Sequence, residues 1–224
     1  MAVFNFKKKM KKILLSLALV SLTVVVHGFI YEREFADSYV STEITDRDVA
    51  IPDGVKNVDV DKTELKWRCE KILIPNYHRE GPIKLKSGEM NFLNGKLHSS
   101  EFIIDMASIE VSNVEDLKKR TKLEKKLRSE KVFSADEFPI SSFKSTSVVL
   151  KSKDLYVVSG NLTIKGITKP YEFELSIVDD NTAKAKLIID RTEFSINYRA
   201  ENLIEEIGDK VISNKITLEA KLKF

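Results

Sequence analysis

From Asn57 to the last residue, apolar and polar positions alternate with a period of two. Met90 and Phe92 flank Asn91, and Asn94-Gly95 follows as a hairpin-turn pair. Phe102, Ile104 and Met106 share one face of the next segment, and Ser142 to Leu150, which carries Phe143, reads as another strand. Tyr156, Val158, Gly160, Leu162 and Ile164 alternate with polar or outward positions, as do Tyr171, Phe173, Leu175 and Ile177. Ala183, Ala185, Leu187 and Ile189 repeat the pattern, and Ile216, Leu218, Ala220, Leu222 and Phe224 close the chain with it. Segments of this kind are strands with one dry and one wet face. Gly166 to Pro170 is too short for anything but a hairpin between two of them. Strands in such succession predict an all-β fold, an antiparallel sandwich or barrel.

One stretch departs from this period. Val114 to Ser129 is highly charged, with Leu117, Leu123 and Leu127 at helical spacing, and Ser112 with Glu115 offers a capping box. It predicts a short helical insertion between strands. Residues 29–56 show no sustained period beyond the turn Pro52-Asp53-Gly54, and read as an N-terminal extension or linker.

Charge sharpens the picture at the N-terminus. The chain is net +3, yet residues 1–28 hold Lys7, Lys8, Lys9, Lys11 and Lys12 and no acid, so the remainder is slightly acidic. Positive charge therefore gives no global bias toward nucleic acid. The lysines precede an apolar run, Ile13 to Val26, too short to span a bilayer comfortably, and Val26-His27-Gly28 supplies a cleavage-like end. Residues 1–28 are expected to be a signal peptide, with Met10 as an alternative start and an uncleaved anchor as the competing reading. The mature protein is then periplasmic or otherwise exported. Its single cysteine, Cys69, cannot form an internal disulfide and reads as a structural, partly buried thiol, with a reactive thiol as the competing reading, so the fold must rest on its core. A hydrophobic content of 42% suffices for one such domain over residues 57–224.

Reactive chemistry is sparse. His78 and His98 remain after the leader, and neither lies at metal-ligand spacing from the other or from Cys69. Gly160 to Gly166 has glycines and a lysine but lacks the Gly-Lys-Ser/Thr of a phosphate loop, and Asn161-Leu162-Thr163 is a lone glycosylation sequon. Ser108 and Ser134 lack the nucleophile-elbow pattern, and the acid pairs Glu205-Glu206 and Asp179-Asp180 sit in loop-like sequence. The expectation is a protein without catalytic residues, metal or cofactor.

Several stretches taken in order resemble the YceI-like lipid/polyisoprenoid-binding family. Val60 to Trp67 is similar to its opening strand, and Phe102-Ile103-Ile104-Asp105-Met106-Ala107-Ser108-Ile109 to its F-x-V-D-M-A-S-I strand. Leu127-Arg128-Ser129 through Phe133 and Phe138-Pro139 resembles its helix and turn, followed by Ser145-Thr146. Val158 to Pro170 is the most specific match, and Asp190-Arg191 through Phe194, with Gly208-Asp209 and Val211, resembles the closing pattern. Lys126 stands where the family often has His, Ser99 and Ser100 replace glycines, and Cys69 replaces another.

The resemblance implies a lipocalin-like antiparallel barrel of about eight strands that holds a long apolar lipid, of polyisoprenoid type. The expected lining is Phe102, Ile104, Met106, Phe143, Tyr156, Val158, Leu162, Ile164, Tyr171, Phe173, Leu175, Leu187, Ile189, Phe194, Ile216 and Leu218. Lys126, Arg128 and His78 are candidate head-group contacts at a barrel mouth. The expected partner is the lipid, with transient membrane contact. Each buried methylene contributes about 0.8 kcal/mol gross, so one isoprene unit contributes about 4 kcal/mol before association costs. Two other classes stay open at this point: a packed barrel with a structural or interaction role, and an enzyme acting on a lipid.

Overall fold

The alternating segments become strands that form one curled antiparallel sheet. The structure is a computed structural model and describes residues 51–224; the expected signal peptide and most of the expected extension lie outside the described residues. The ten strands are β1 (Gly54–Asn57), β2 (Glu64–Glu70), β3 (His78–Pro82), β4 (Lys84–Leu93), β5 (Lys96–Asp105), β6 (Ile140–Ser152), β7 (Leu155–Ile164), β8 (Ile167–Asp179), β9 (Thr182–Asp190) and β10 (Lys215–Lys223). Their order in the sheet is β1-β4-β5-β6-β7-β8-β9-β10-β2-β3.

This order explains the expected eight. β3 ends the sheet on one side and β4 stands next to the edge strand β1 on the other, yet Ile83 alone separates β3 from β4 in sequence. The chain therefore draws the two ends together, and the Ile83 N–H donates to the Leu65 carbonyl of β2 at 3.0 Å. With β3 and β4 taken as one bent stave and the four-residue β1 as an added edge, eight staves remain. The sheet thus curls into a half-barrel whose flanks approach each other at Ile83.

The two ends of the barrel differ. At one, two-residue turns join β4 to β5, β6 to β7 and β8 to β9. Asn94 and Gly95 both take positive φ there, 52° and 70°, the primed geometry that suits a twisted hairpin. Asp53 ties this turn to the N-terminal segment by accepting the Gly95 N–H at 2.9 Å. Buried Ile51 and the pairing of β1 with β4 make residues 51–57 part of the folded body. At the other end three connections are long, residues 71–77, 106–139 and 191–214, and one is short, the two-residue turn between β7 and β8.

Three local expectations are corrected. The helix, α1, runs Leu117–Arg128 and is capped by Asp116, whose carboxylate accepts the Lys119 N–H at 3.1 Å. Ser112 does not cap it, because it lies four residues before Asp116 and its hydroxyl donates to the Glu80 carbonyl of β3 at 3.2 Å. Met106 is buried but belongs to a short 3-10 turn, since the Asp105 side chain accepts the Ala107 N–H and ends β5. The hairpin after Ile164 is confined to Lys165-Gly166, both at positive φ, so Thr168, Lys169 and Pro170 lie within β8.

Candidate functional site in the barrel interior and its mouth

Strand register shows which side chains share the inner face. Phe102 faces Phe143, Phe143 faces Leu162, Val158 faces Phe173, and Leu187 faces Leu218, which in turn faces Trp67. The twelve expected lining residues Phe102, Ile104, Met106, Phe143, Tyr156, Val158, Leu162, Ile164, Leu175, Leu187, Ile189 and Phe194 are buried. Tyr171, Phe173, Ile216 and Leu218 are only half-buried, although they face inward. Alternation gives all sixteen the same inward sign; the structure divides them into two groups.

The short-turn end is packed. Met90 and Phe92 are fully buried, Phe92 stacks on Phe224 at 5.6 Å between ring centroids, and Leu97, Ile177, Ala183 and Leu222 fill in around them. Higher in the barrel, the Phe143 ring lies over Gly160, where a Cβ would approach it to 2.5 Å, and meets Phe173 edge-on at 5.0 Å. Only glycine fits beneath that ring.

The wall formed by β8, β9 and β10 is different. Ala185 faces Ala220 across the β9–β10 pair, and both stay half-buried on the inner side. Two small residues in apposition occupy less of the interior than larger ones would. β8 and β9 pair only from Glu174–Lys186 to Asp179–Thr182, so the mouth-side half of β8 has no partner on that flank. The sequence cause is Pro170, which pairs with Asn161 of β7 and has no N–H to offer β9. Tyr171 bridges the separation: its hydroxyl accepts the Asp190 N–H at 3.0 Å and donates to Glu193 at 2.5 Å, and its ring stacks on Phe194 at 5.8 Å. Burial, together with the hydrogen bond to Glu193, pushes the Tyr171 phenol well above its ordinary value and keeps it a donor.

The mouth is built from the long connections. Residues 109–112 run against β3, where the Trp67 indole donates to the Glu110 carbonyl at 2.9 Å and a Cβ at Gly81 would lie 2.1 Å from that same oxygen. Arg191 is buried and donates to the carbonyls of Ser213 (2.9 Å), Ile196 (2.5 Å) and Ile212 (3.0 Å), which fixes the loop between β9 and β10. Leu123 and Leu127 turn one face of α1 onto the core.

The expected head-group residues do not converge. Arg128 donates to the Ile109 carbonyl at 3.0 Å and so anchors the connection. Lys126 lies 5.4 Å over the Tyr198 ring. His78 sits on β3 beside Glu80, 3.5 Å from its carboxylate. Each already has a protein partner. Cys69 faces inward opposite Ile216, and its thiol donates weakly to the Ser213 and Lys215 carbonyls at 3.6 Å. Desolvation pushes that thiol up to about 11, which makes it a poor nucleophile at neutral pH.

Sequence reading missed three polar groups on the inner face. Ser100 and Ser141 are buried, and their hydroxyls have no hydrogen-bond partner among the described residues. Lys169 faces Leu162 and is half-buried. It was hidden inside a stretch read as a turn.

An antiparallel barrel with one packed end, one loop-built mouth and a wall of half-buried apolar residues is a lipocalin-like architecture. The YceI-like domain model matches residues 57–224, and the chain belongs to that family. The UPF0312 protein plu2095 of Photorhabdus laumondii is 37% identical over 67 residues, 30% of this chain and 31% of that protein's length. Among solved structures, BcnA of Burkholderia cenocepacia is 20% identical, with a TM-score of 0.58 over 74% of this chain and 98% of its own. A polyisoprenoid binding domain from Saccharophagus degradans, implicated in plant cell wall breakdown, is 14% identical, with a TM-score of 0.52 over 76% and 97%. These two likenesses show the fold.

Proposed function

We propose that this protein sequesters or carries a long apolar lipid, of polyisoprenoid type, in the mouth-side half of its barrel, and that it does so without catalysis. The observation that carries this reading is the set of inward apolar residues left half-buried on β8 to β10: Tyr171, Phe173, Ala185, Ile216, Leu218 and Ala220. A packed core buries such residues fully, as the opposite end of this barrel does. A flexible chain needs no polar anchor to gain affinity there, because each methylene removed from water contributes about 0.8 kcal/mol gross. The Saccharophagus degradans domain, described as polyisoprenoid-binding, supports the ligand class.

The leader-like residues 1–28 support export to the periplasm, and the basic α1 supports transient contact with a membrane from which lipid is taken up or to which it is released. Solvent extraction of the purified protein, followed by mass spectrometry, tests the carrier reading. Recovery of a stoichiometric long-chain lipid is expected. An empty extract, with no uptake of added isoprenoid, would leave a structural barrel, and turnover of the added lipid would point to an enzyme.

A further inference from the structure

We infer that the loop between β2 and β3, residues 71–77, inserts its tip, Ile72 and Leu73, into the head-group boundary of an anionic bilayer and so seats the barrel mouth on a membrane. The inference rests on the carrier reading and adds the element by which the mouth meets that membrane.

The tip is apolar and has little protein to pack against. Ile72, Leu73 and Ile74 follow one another and precede Pro75. Ile72 is 42% exposed and Leu73 49%. The turn is closed by its own backbone: the Lys71 N–H donates to the Tyr77 carbonyl at 3.0 Å and the Tyr77 N–H to the Ile74 carbonyl at 3.2 Å. A hollow of about 560 Å³ is lined by residues from Glu70 to Tyr77 and, from the rest of the barrel, by Ser213 alone. The loop therefore stands off the body instead of folding its apolar residues onto it. A cluster of this kind, held in water by a closed turn, marks a contact surface.

The base of the loop is the second, separate observation, and it selects the partner. The Lys71 ammonium lies 4.8 Å and the Arg79 guanidinium 4.3 Å from the centre of the Tyr77 ring, and Arg79 also donates to the Tyr77 hydroxyl. The acids beside them are compensated, Glu70 by Arg68 at 2.9 Å and Glu80 by Lys66 at 3.0 Å. An apolar tip, a tyrosine collar and two cations thus follow in the order in which a bilayer presents acyl chains, head-group boundary and phosphates. α1, at the same end of the barrel, adds basic residues and exposed Leu117. Val149 and Leu150, exposed at the packed end, lack such a collar, and the adjacent Lys151 is paired with Glu174 at 2.6 Å.

Vesicles of phosphatidylcholine and phosphatidylglycerol in equal parts are the probe. Leu73→Trp puts a fluorophore at the tip, and the native Trp67, buried and bonded to the Glu110 carbonyl, gives a constant background read from the wild type. On these vesicles the added emission should move to shorter wavelength and be quenched by lipids brominated high in the acyl chain. Val149→Trp, at the packed end, should show neither change. The double variant Ile72→Ser, Leu73→Ser should sediment with the same vesicles roughly ten- to a hundredfold more weakly, because two half-exposed side chains no longer leave water. Both positions are exposed, so circular dichroism melting and the lipid held at equilibrium should match the wild type. Tip emission that the vesicles leave unchanged, or a double variant that sediments like the wild type, overturns the insertion. A wild-type dimer that the double variant converts to monomer would assign the tip to a contact between copies and overturn it too. None of these results bears on the carrier reading, which an empty solvent extract defeats by itself.

Discussion

Ala185 of β9 and Ala220 of β10 stand directly opposite each other on the inner face, and neither is fully buried. Around them, Leu175 faces Ala185 and Leu65 faces Ala220. The smallest apolar side chains thus occupy the middle of the wall that the carrier reading requires to be open. Ala220→Phe should fill that space. Lipid recovered in the extract should fall sharply while the delipidated protein keeps or gains stability. In a packed interior the same ring would overpack the core at about 1–3 kcal/mol. Denaturant unfolding after delipidation, with lipid quantified beforehand, separates the two outcomes.

Leu175 and Phe173 offer a matched comparison on one strand. Leu175 is fully buried at the packed end, and Phe173 is half-buried two residues nearer the mouth. Leu175→Ala should cost about 2–5 kcal/mol. Phe173→Ala removes a larger side chain, yet it should cost less than the roughly 3–5 kcal/mol of a tightly packed phenylalanine, because part of the ring has no packed neighbours to lose. Urea unfolding of the two variants gives the order directly. A larger loss for Phe173→Ala would show the mouth to be as well packed as the floor.

Much of this fold is legible in the sequence, because strand alternation and turn chemistry are local. Phe102, Val158 and Leu187 face inward as their spacing requires, and Asn94-Gly95 forms the expected turn. What the period could not reveal depends on distant partners. The join of β3 to β4 through Ile83, with β1 as an added edge, turns ten strands into eight staves, and no local pattern encodes a sheet's flanks approaching each other. Periodicity also gives Leu175 and Phe173 the same inward sign, though neighbours on other strands bury one and leave the other half-open. In sequence, Gly166 and Pro170 bracket Lys169 and give it the look of a turn residue. Pro170 instead marks the unpaired flank of a strand, which puts the lysine on the inner face. Lys126 and Arg128 looked available because sequence does not show the Tyr198 ring or the Ile109 carbonyl that engage them.

Cys69 should react slowly and should tie stability to alkaline pH. Its thiol is raised from 9.0 to about 11, chiefly by desolvation. A shift of that size lowers the thiolate fraction at neutral pH about a hundredfold, so alkylation of the folded protein should be slower than that of the urea-unfolded chain by at least that factor. The sign of the linkage follows from which state ionises first. Below pH 9 the thiol is protonated in both states and the fold has its full stability. As pH rises from 9 toward about 11, the unfolded chain releases the proton while the folded chain keeps it, so stability falls, by an amount on the order of 3 kcal/mol. Cys69→Ala should flatten that part of the pH–stability curve. An unchanged alkaline slope in the variant would show that other groups cause it.

The helix at the mouth carries the last prediction. α1 holds seven basic residues and one acid in its twelve, while the whole chain is only net +3, so everything outside the helix sums to a negative charge. Lys118, Lys122 and Lys125 recur at helical spacing on one exposed face, opposite the face that Leu123 and Leu127 turn to the core. None of the three has an ion-pair or hydrogen-bond partner for its side chain among the described residues. Leu117, 63% exposed at the first position of the helix, adds an apolar contact next to them. A basic face with an apolar edge suits an anionic bilayer, where each lysine contributes about 1 kcal/mol near the surface. The protein should sediment with vesicles containing phosphatidylglycerol and not with pure phosphatidylcholine, and high salt should release it, because such contacts are screened beyond a Debye length. Replacing the three lysines by glutamate should weaken vesicle binding by about a hundredfold or more. Because all three are exposed, melting should change little, and affinity for a soluble isoprenoid should be unaffected. The variant should therefore slow the transfer of lipid from vesicle to protein without altering how much lipid the barrel holds at equilibrium. Equal transfer rates for variant and wild type, measured on anionic vesicles at low salt, would show that the helix face plays no part in delivery.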